Sequence, residues 1–213
     1  MKIFLSWSGE KSKKTALALK TWIRMVIQNV DPWVSTDIEK GEKWNHEIAE
    51  QLKSTKVGII CLNRDNLDSN WILFEAGALS KTEDAKVCTF LLDLKPTDVK
   101  FPLAQFQSTV FGKEDIKHLI HSINEKLKEE NERYLPDNEL NEIFEIFYPK
   151  LETQLEEIKM IESDQYRNTR NDRELLEEIL NLVRDISKDA IMVNDIEDKV
   201  KESVKAVLIE RFV

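Results

Sequence analysis

Residues 56–62 read KVGIICL, a continuous apolar run bounded by Lys56 and Asn63. Such a run suits a strand covered on both faces, which is the habit of a parallel sheet with helices above and below. The downstream residues agree with that pattern. NRDNLDS (63–69) supplies several N-cap residues, with Asp68 or Ser69 favoured, and predicts a helix from about Asn70 to Ser80 in NWILFEAGALSK (70–81). KVCTFLLDL (86–94) is another buried strand, and PLAQFQSTVF (102–111) a last, more polar one. Ile116, Leu119, Ile120, Ile123 and Leu127 then mark one face of a helix.

The same alternation runs upstream. KIFLSW (2–7) is a short β run, and Ala16, Leu19, Ile23, Val26 and Val30 recur at helical spacing through residues 13–30. PWVSTDI (32–38) is a strand candidate, and EKGEKW (39–44) is turn-like around Gly41. Trp44, Ile48 and Leu52 form one face of a helix over 44–52. The fold class is therefore α/β, a parallel five-stranded sheet with helices on both faces. Ligands of such sheets bind beyond the carboxyl ends of the strands. The segments to search are SWSGE, DIEKGEKW, NRDNLDSNW and DLKPTDVKFP.

Beyond Leu127 the character changes. A charged connection leads to LNEIFEIFYPKLETQLEEI (140–158), helical with Ile143, Phe144, Phe147, Leu151 and Leu155 as its stripe. Pro149 is expected to kink that helix or to start a second one. ESDQYRNTRNDR (162–173) has almost no apolar residue and reads as a linker. Two short amphipathic segments come next, with Leu176, Ile179, Val183 and Ile186 on one and Ile196, Val200, Val204, Val207 and Leu208 on the other. Residues 1–158 thus form the main domain with its core in 1–127, 159–172 a linker, and 173–213 a helical extension for packing, assembly or partner docking.

Composition narrows the function. A net charge of −9 over 213 residues, with no basic block, argues against a nucleic-acid or anionic-membrane surface. No run approaches a membrane span or a signal peptide, so the expected location is cytoplasmic. Cys61 and Cys88 each lie in an apolar run and read as buried strand thiols. His46, His118 and His121 lack metal-ligand spacing, and no metal is expected. Five glycines, never two within four residues, exclude a Walker A loop and a dinucleotide fingerprint. Ser6 and Ser8 flank Trp7 without the G-x-S-x-G turn of a serine hydrolase. Asp93 reads as a loop-capping acid. Trp33 and Trp44 read first as core, and second as an aromatic wall over a flat ligand.

Trp71 and Glu75 stand apart. Their spacing alone is weak, because five tryptophans and abundant glutamate produce one such pair about as often as not. Their setting is stronger: positions i and i+4 share a helix face, just after a strand-end loop. Glu75 also has apolar neighbours on both sides, a costly place for a carboxylate that is neither paired nor functional. Gly77 lowers helix stability, which suggests a close approach of another backbone there.

KIFLSWSGE, DIEKGEKW and NLDSNWILFEAGALSK together resemble the three boxes of a Toll/interleukin-1 receptor (TIR) domain of the bacterial, NAD-cleaving type. FPLAQFQ is similar to a segment common in bacterial members. The resemblance covers residues 1–127, extends to Ile158, and leaves out the tail. It implies a flavodoxin-like fold and cleavage of the nicotinamide–ribose bond of NAD⁺, which is the substrate, with no cofactor. By position it makes Glu75 the catalytic glutamate and Trp71 its partner on the nicotinamide side. Ser6 and Trp7 would flank the nucleotide, and the loop containing Asp37, Lys40, Gly41 and Trp44 would cover it. Lys40-Gly41 stands where many members have Pro-Gly, which leaves that loop more flexible. The resemblance further implies self-association and a role in anti-phage defence. Two rivals stay open: a non-catalytic TIR interaction module, and an N-glycosidase of the same layout acting on other nucleosides or nucleotides.

Overall fold

A computed structural model of the chain describes residues 1–34, 52, 54–80 and 85–161. The strands are β1 (Lys2–Ser6), β2 (Asp31–Val34), β3 (Thr55–Leu62), β4 (Lys86–Leu91) and β5 (Gln107–Val110). The helices are α1 (Glu10–Val26), α2 (Asn70–Ser80), α3 (Lys113–Glu129) and α4 (Asp137–Lys159). All strand pairs are parallel, in the order β2-β1-β3-β4-β5. That is the flavodoxin-like order, whose topological switch point lies between β1 and β3.

Period-two alternation assigns the faces. Ile3 and Leu5 of β1, with Val57, Ile59 and Cys61 of β3, share one core with Ala16, Leu19, Trp22 and Ile23 of α1. The stripes of α3 and α4, including Ile120, Phe144 and Leu151, join the same core. Ile60 and Leu62 of β3 point the other way, into a smaller core with Ile72 and Ala76 of α2. Two residues tie α4 to α1: Trp22 sets its ring edge-on to Phe144 at 5.9 Å and donates its indole N–H to the Phe147 carbonyl at 3.0 Å. Gly58 of β3 lets α2 lie close, since a Cβ there would sit 2.8 Å from Leu79 Cδ1.

Several boundaries differ from the sequence expectation. Helix α1 runs from residue 10 to 26, and Val30 is buried in the connection to β2 instead of on the helix. The segment expected as a strand over 102–111 is a strand only from Gln107. Pro102 follows a cis peptide, and Leu103–Gln105 form a single 3₁₀ turn. Proline lacks the N–H that a ladder needs, so the strand starts after it. Pro149 starts no second helix: α4 is continuous from 137 to 159, held by the buried Phe144, Tyr148, Leu151 and Leu155 on both sides of the proline. Packing outweighs the one missing backbone bond. Cys88 is only partly buried, and both thiols are free. The segments 35–51 and 162–213, which hold His46, most of the predicted 44–52 helix, the linker and the helical extension, lie outside the described residues.

Candidate active site

The carboxyl end of β1 and the second turn of α2 meet on the face of the smaller core. Ser6 follows Phe4 on that face and has no exposed surface, and Glu75 has none either. The Ser6 hydroxyl donates to Glu75 Oε2. Glu75 Oε1 has no hydrogen-bond partner among the described residues. Burial pushes the carboxyl up to about 8, while the Ser6 hydroxyl and the Trp71 side chain act weakly in the opposite direction. The group is therefore mostly protonated at neutral pH until something cationic or hydrogen-bonding reaches it.

Trp71 lies one turn before Glu75, buried at 8% exposure, with Phe74 beside it at 5.9 Å between ring centroids. Trp33 of β2 packs on Phe4 of β1 at 4.3 Å, which makes it a core residue on the same sheet face as Ser6. Its indole N–H is buried without a partner among the described residues. Trp7 packs instead against the larger core, with the Lys13 ammonium 5.3 Å from its ring. The expected pair Trp71 and Glu75 and the expected flanking residue Ser6 thus share one locality, and Trp7 continues β1 just beyond it. Asp37, Lys40, Gly41 and Trp44 lie outside the described residues.

A polar network that motif reading did not single out surrounds this corner. Asn66, 3% exposed, accepts from the Asn63 N–H at 2.9 Å. Its amide donates to the carbonyls of Cys61 (3.0 Å) and Ser8 (3.2 Å). The Ser69 hydroxyl reaches the Ser8 hydroxyl at 2.9 Å. The Ser8 N–H donates to Ser12 Oγ at 3.3 Å, and that hydroxyl donates to the Cys61 carbonyl at 2.7 Å. Ser69 carries the sequence signal of an N-cap, whereas the only signal for Asn66 is its position between a buried strand and a helix start, where side-chain-to-backbone bonds are common. Ser69 also takes the favoured N-cap position, its carbonyl accepting from the Leu73 N–H at 3.1 Å.

Asp93 behaves as the expected loop-capping acid. It accepts from the Arg64 N–H at 3.0 Å and pairs with Lys11 at 3.1 Å. Among the described residues no backbone closes on Gly77: it is exposed, and a Cβ there would meet nothing within 4 Å of them. His121 bonds Asn141 at 3.1 Å on the α3–α4 surface. Among the described residues no group of histidine, cysteine and acidic side chains is arranged to hold a metal, and no helix is long and apolar enough to cross a membrane.

The family model described as "TIR domain" matches residues 3–136. Among curated proteins, the chain is 26% identical over 109 residues to "Probable disease resistance protein RPP1" of Arabidopsis thaliana, covering 49% of this chain and 9% of that protein. It is 27% identical over 103 residues to "Disease resistance protein TAO1" of the same plant, covering 46% and 8%. The match therefore spans under a tenth of the length of these relatives. Among solved structures, it is similar to the TIR domains of the activated Roq1 resistosome directly recognizing the pathogen effector XopQ, with 16% identity and a TM-score of 0.39 over 85% of this chain and 98% of that chain.

Proposed function

The chain belongs to the TIR domain family, and on that basis we propose that it is a bacterial-type NAD⁺ glycohydrolase or cyclase that breaks the nicotinamide–ribose bond, with Glu75 as its catalytic carboxylate. The observation that carries this reading is the state of Glu75: fully buried, held by the Ser6 hydroxyl on one oxygen and with Trp71 one turn before it, at the switch point of the sheet. A carboxyl buried without a charged partner is costly to ionise, and such groups concentrate where chemistry needs them.

One carboxylate suffices for this reaction. Ordinary glycosides need a second group to protonate the leaving oxygen. In NAD⁺ the ring nitrogen is already cationic, so the electron pair of the breaking C–N bond goes to it and nicotinamide departs neutral. Positive charge develops on the ribose, and the Glu75 carboxylate stabilises it from a water-poor setting where that interaction is strongest. Water then attacks the anomeric carbon, loses a proton and gives ADP-ribose. An internal nucleophile gives a cyclic isomer instead. Trp71 presents an aromatic wall to the nicotinamide, and Ser6 and Trp7 flank the nucleotide. Asp37, Lys40, Gly41 and Trp44 cover it from the loop. Self-association completes the site, and the disease-resistance names of the curated relatives favour a defence role, here against phage in the cytoplasm.

Substrate competition tests the reading. NAD⁺ is cleaved, whereas NADH, which lacks the pyridinium charge, and neutral nucleosides are not. Comparable cleavage of neutral nucleosides would assign the site to a general N-glycosidase. The free carboxyl must ionise before it acts, so kcat/KM rises with pH through an inflection near 8. The inflection in kcat lies lower, because the bound pyridinium cation favours the ionised form.

A further inference from the structure

Ser6 and Trp7 belong to β1 and its loop, whereas Trp71 and Glu75 belong to a helix that begins more than sixty residues later. Their mutual placement depends on what joins those two segments at the carboxyl edge. We propose that Ser8, Asn66 and Ser69 form a clamp that sets Ser6 against Glu75, and that Asn66 and Ser69 are positioning residues for the reaction.

Every polar group of Ser8 is used, each by a different part of the chain. Its N–H goes to Ser12 on α1, its carbonyl accepts from Asn66 in the β3–α2 loop, and its hydroxyl meets Ser69 at the start of α2. Asn66 is equally committed: its oxygen holds the Asn63 N–H and its amide bridges Cys61 at the end of β3 to Ser8 after β1. The clamp thus spans β1, β3 and α2, the elements on either side of the switch point. Gly9, with φ +84, turns the chain into α1 directly after Ser8, so the clamped stretch has little length in which to relax. Neither Asn66 nor Ser69 makes a hydrogen bond to Glu75 among the described residues, so any effect on it is transmitted through the backbone they hold. A displacement of about 1 Å in a reacting group costs on the order of a hundredfold in rate, and this clamp is built to prevent one.

The test has two arms, of which only the kinetic one rests on the proposed NAD⁺ cleavage. Ser69→Ala and Asn66→Ala, neither of which adds a charge, are compared with the wild type for nicotinamide release and for the ¹³C-carboxyl NMR titration of Glu75, at a temperature well below each melting point. The clamp predicts a kcat loss of about tenfold or more with KM nearly unchanged. It also predicts a Glu75 titration midpoint displaced by about half a unit or more, and rescue of both by Ser69→Thr, which restores the hydroxyl. A lowered melting temperature with kcat and the Glu75 titration both unmoved overturns the proposal and leaves the network a purely structural one. If the wild type releases no nicotinamide, the titration alone decides: displacement upholds the clamp while the cleavage reading falls, and an unmoved midpoint overturns the clamp.

Discussion

Glu75 holds its proton to about pH 8 in the fold, whereas the unfolded chain releases it near the ordinary value of 4.5. Between those values the folded state binds the extra proton, so the stability this group contributes is complete below 4.5 and is lost as pH rises through 8. Glu75→Gln keeps the shape and removes the titration. Its melting temperature should match the wild type near pH 4.5 and exceed it at about pH 8 to 9, by an amount on the order of a few kcal/mol in stability. Thermal melts across that range check it, and a variant less stable than the wild type at about pH 9 would contradict the burial account. The same residue separates stability from function, because the substitution that stabilises the fold at alkaline pH should abolish cleavage. Sequence reading singles out Glu75, Trp71 and Ser6 through box order and the apolar setting of a lone acid, and the fold brings the three to one corner. That reading does not reach Asn66, whose value lies in bonds to the backbone of residues distant in sequence, and such bonds leave no spacing pattern.

At the scale of elements, two glycines make opposite predictions. Gly58 faces Leu79 so closely that Gly58→Ala forces that side chain to move, for a loss of about 1–3 kcal/mol. Shortening the partner in Gly58→Ala/Leu79→Val should recover part of it. Nothing among the described residues lies against Gly77 on α2, so Gly77→Ala should stabilise by about 0.5–1 kcal/mol. Denaturant unfolding measures both, and a stabilised Gly58→Ala would mean that α2 is not seated on β3 as described. Elements also differ in how legible they are. Strand β3 announces itself as a continuous apolar run, helix α2 by the N-cap residues before it, and helix α3 by its apolar period. The boundary difference at Pro102 arises because proline removes one ladder bond, whereas at Pro149 the packing on both sides carries the helix through.

At the scale of the molecule, the switch point between β1 and β3 brings Ser6 and Glu75 together, although the loop that would cover them belongs to a segment outside the described residues. If a neighbouring copy completes the site, specific activity should rise with protein concentration in step with oligomer size on a sizing column. Constant specific activity across a roughly hundredfold dilution would make each copy self-sufficient. Deleting residues 173–213 separates the tail's role from the domain's, since an assembly role requires both oligomer size and activity to fall, and unchanged values remove it. The decisive measurement is nicotinamide release from NAD⁺ by the purified chain at high concentration, beside Glu75→Gln. The wild type should release nicotinamide, with ADP-ribose or a cyclic isomer as second product, and the variant should release it at least about a hundredfold more slowly. Equal release by both would remove Glu75 from the chemistry, and none from an assembled wild type would make this chain a TIR interaction module.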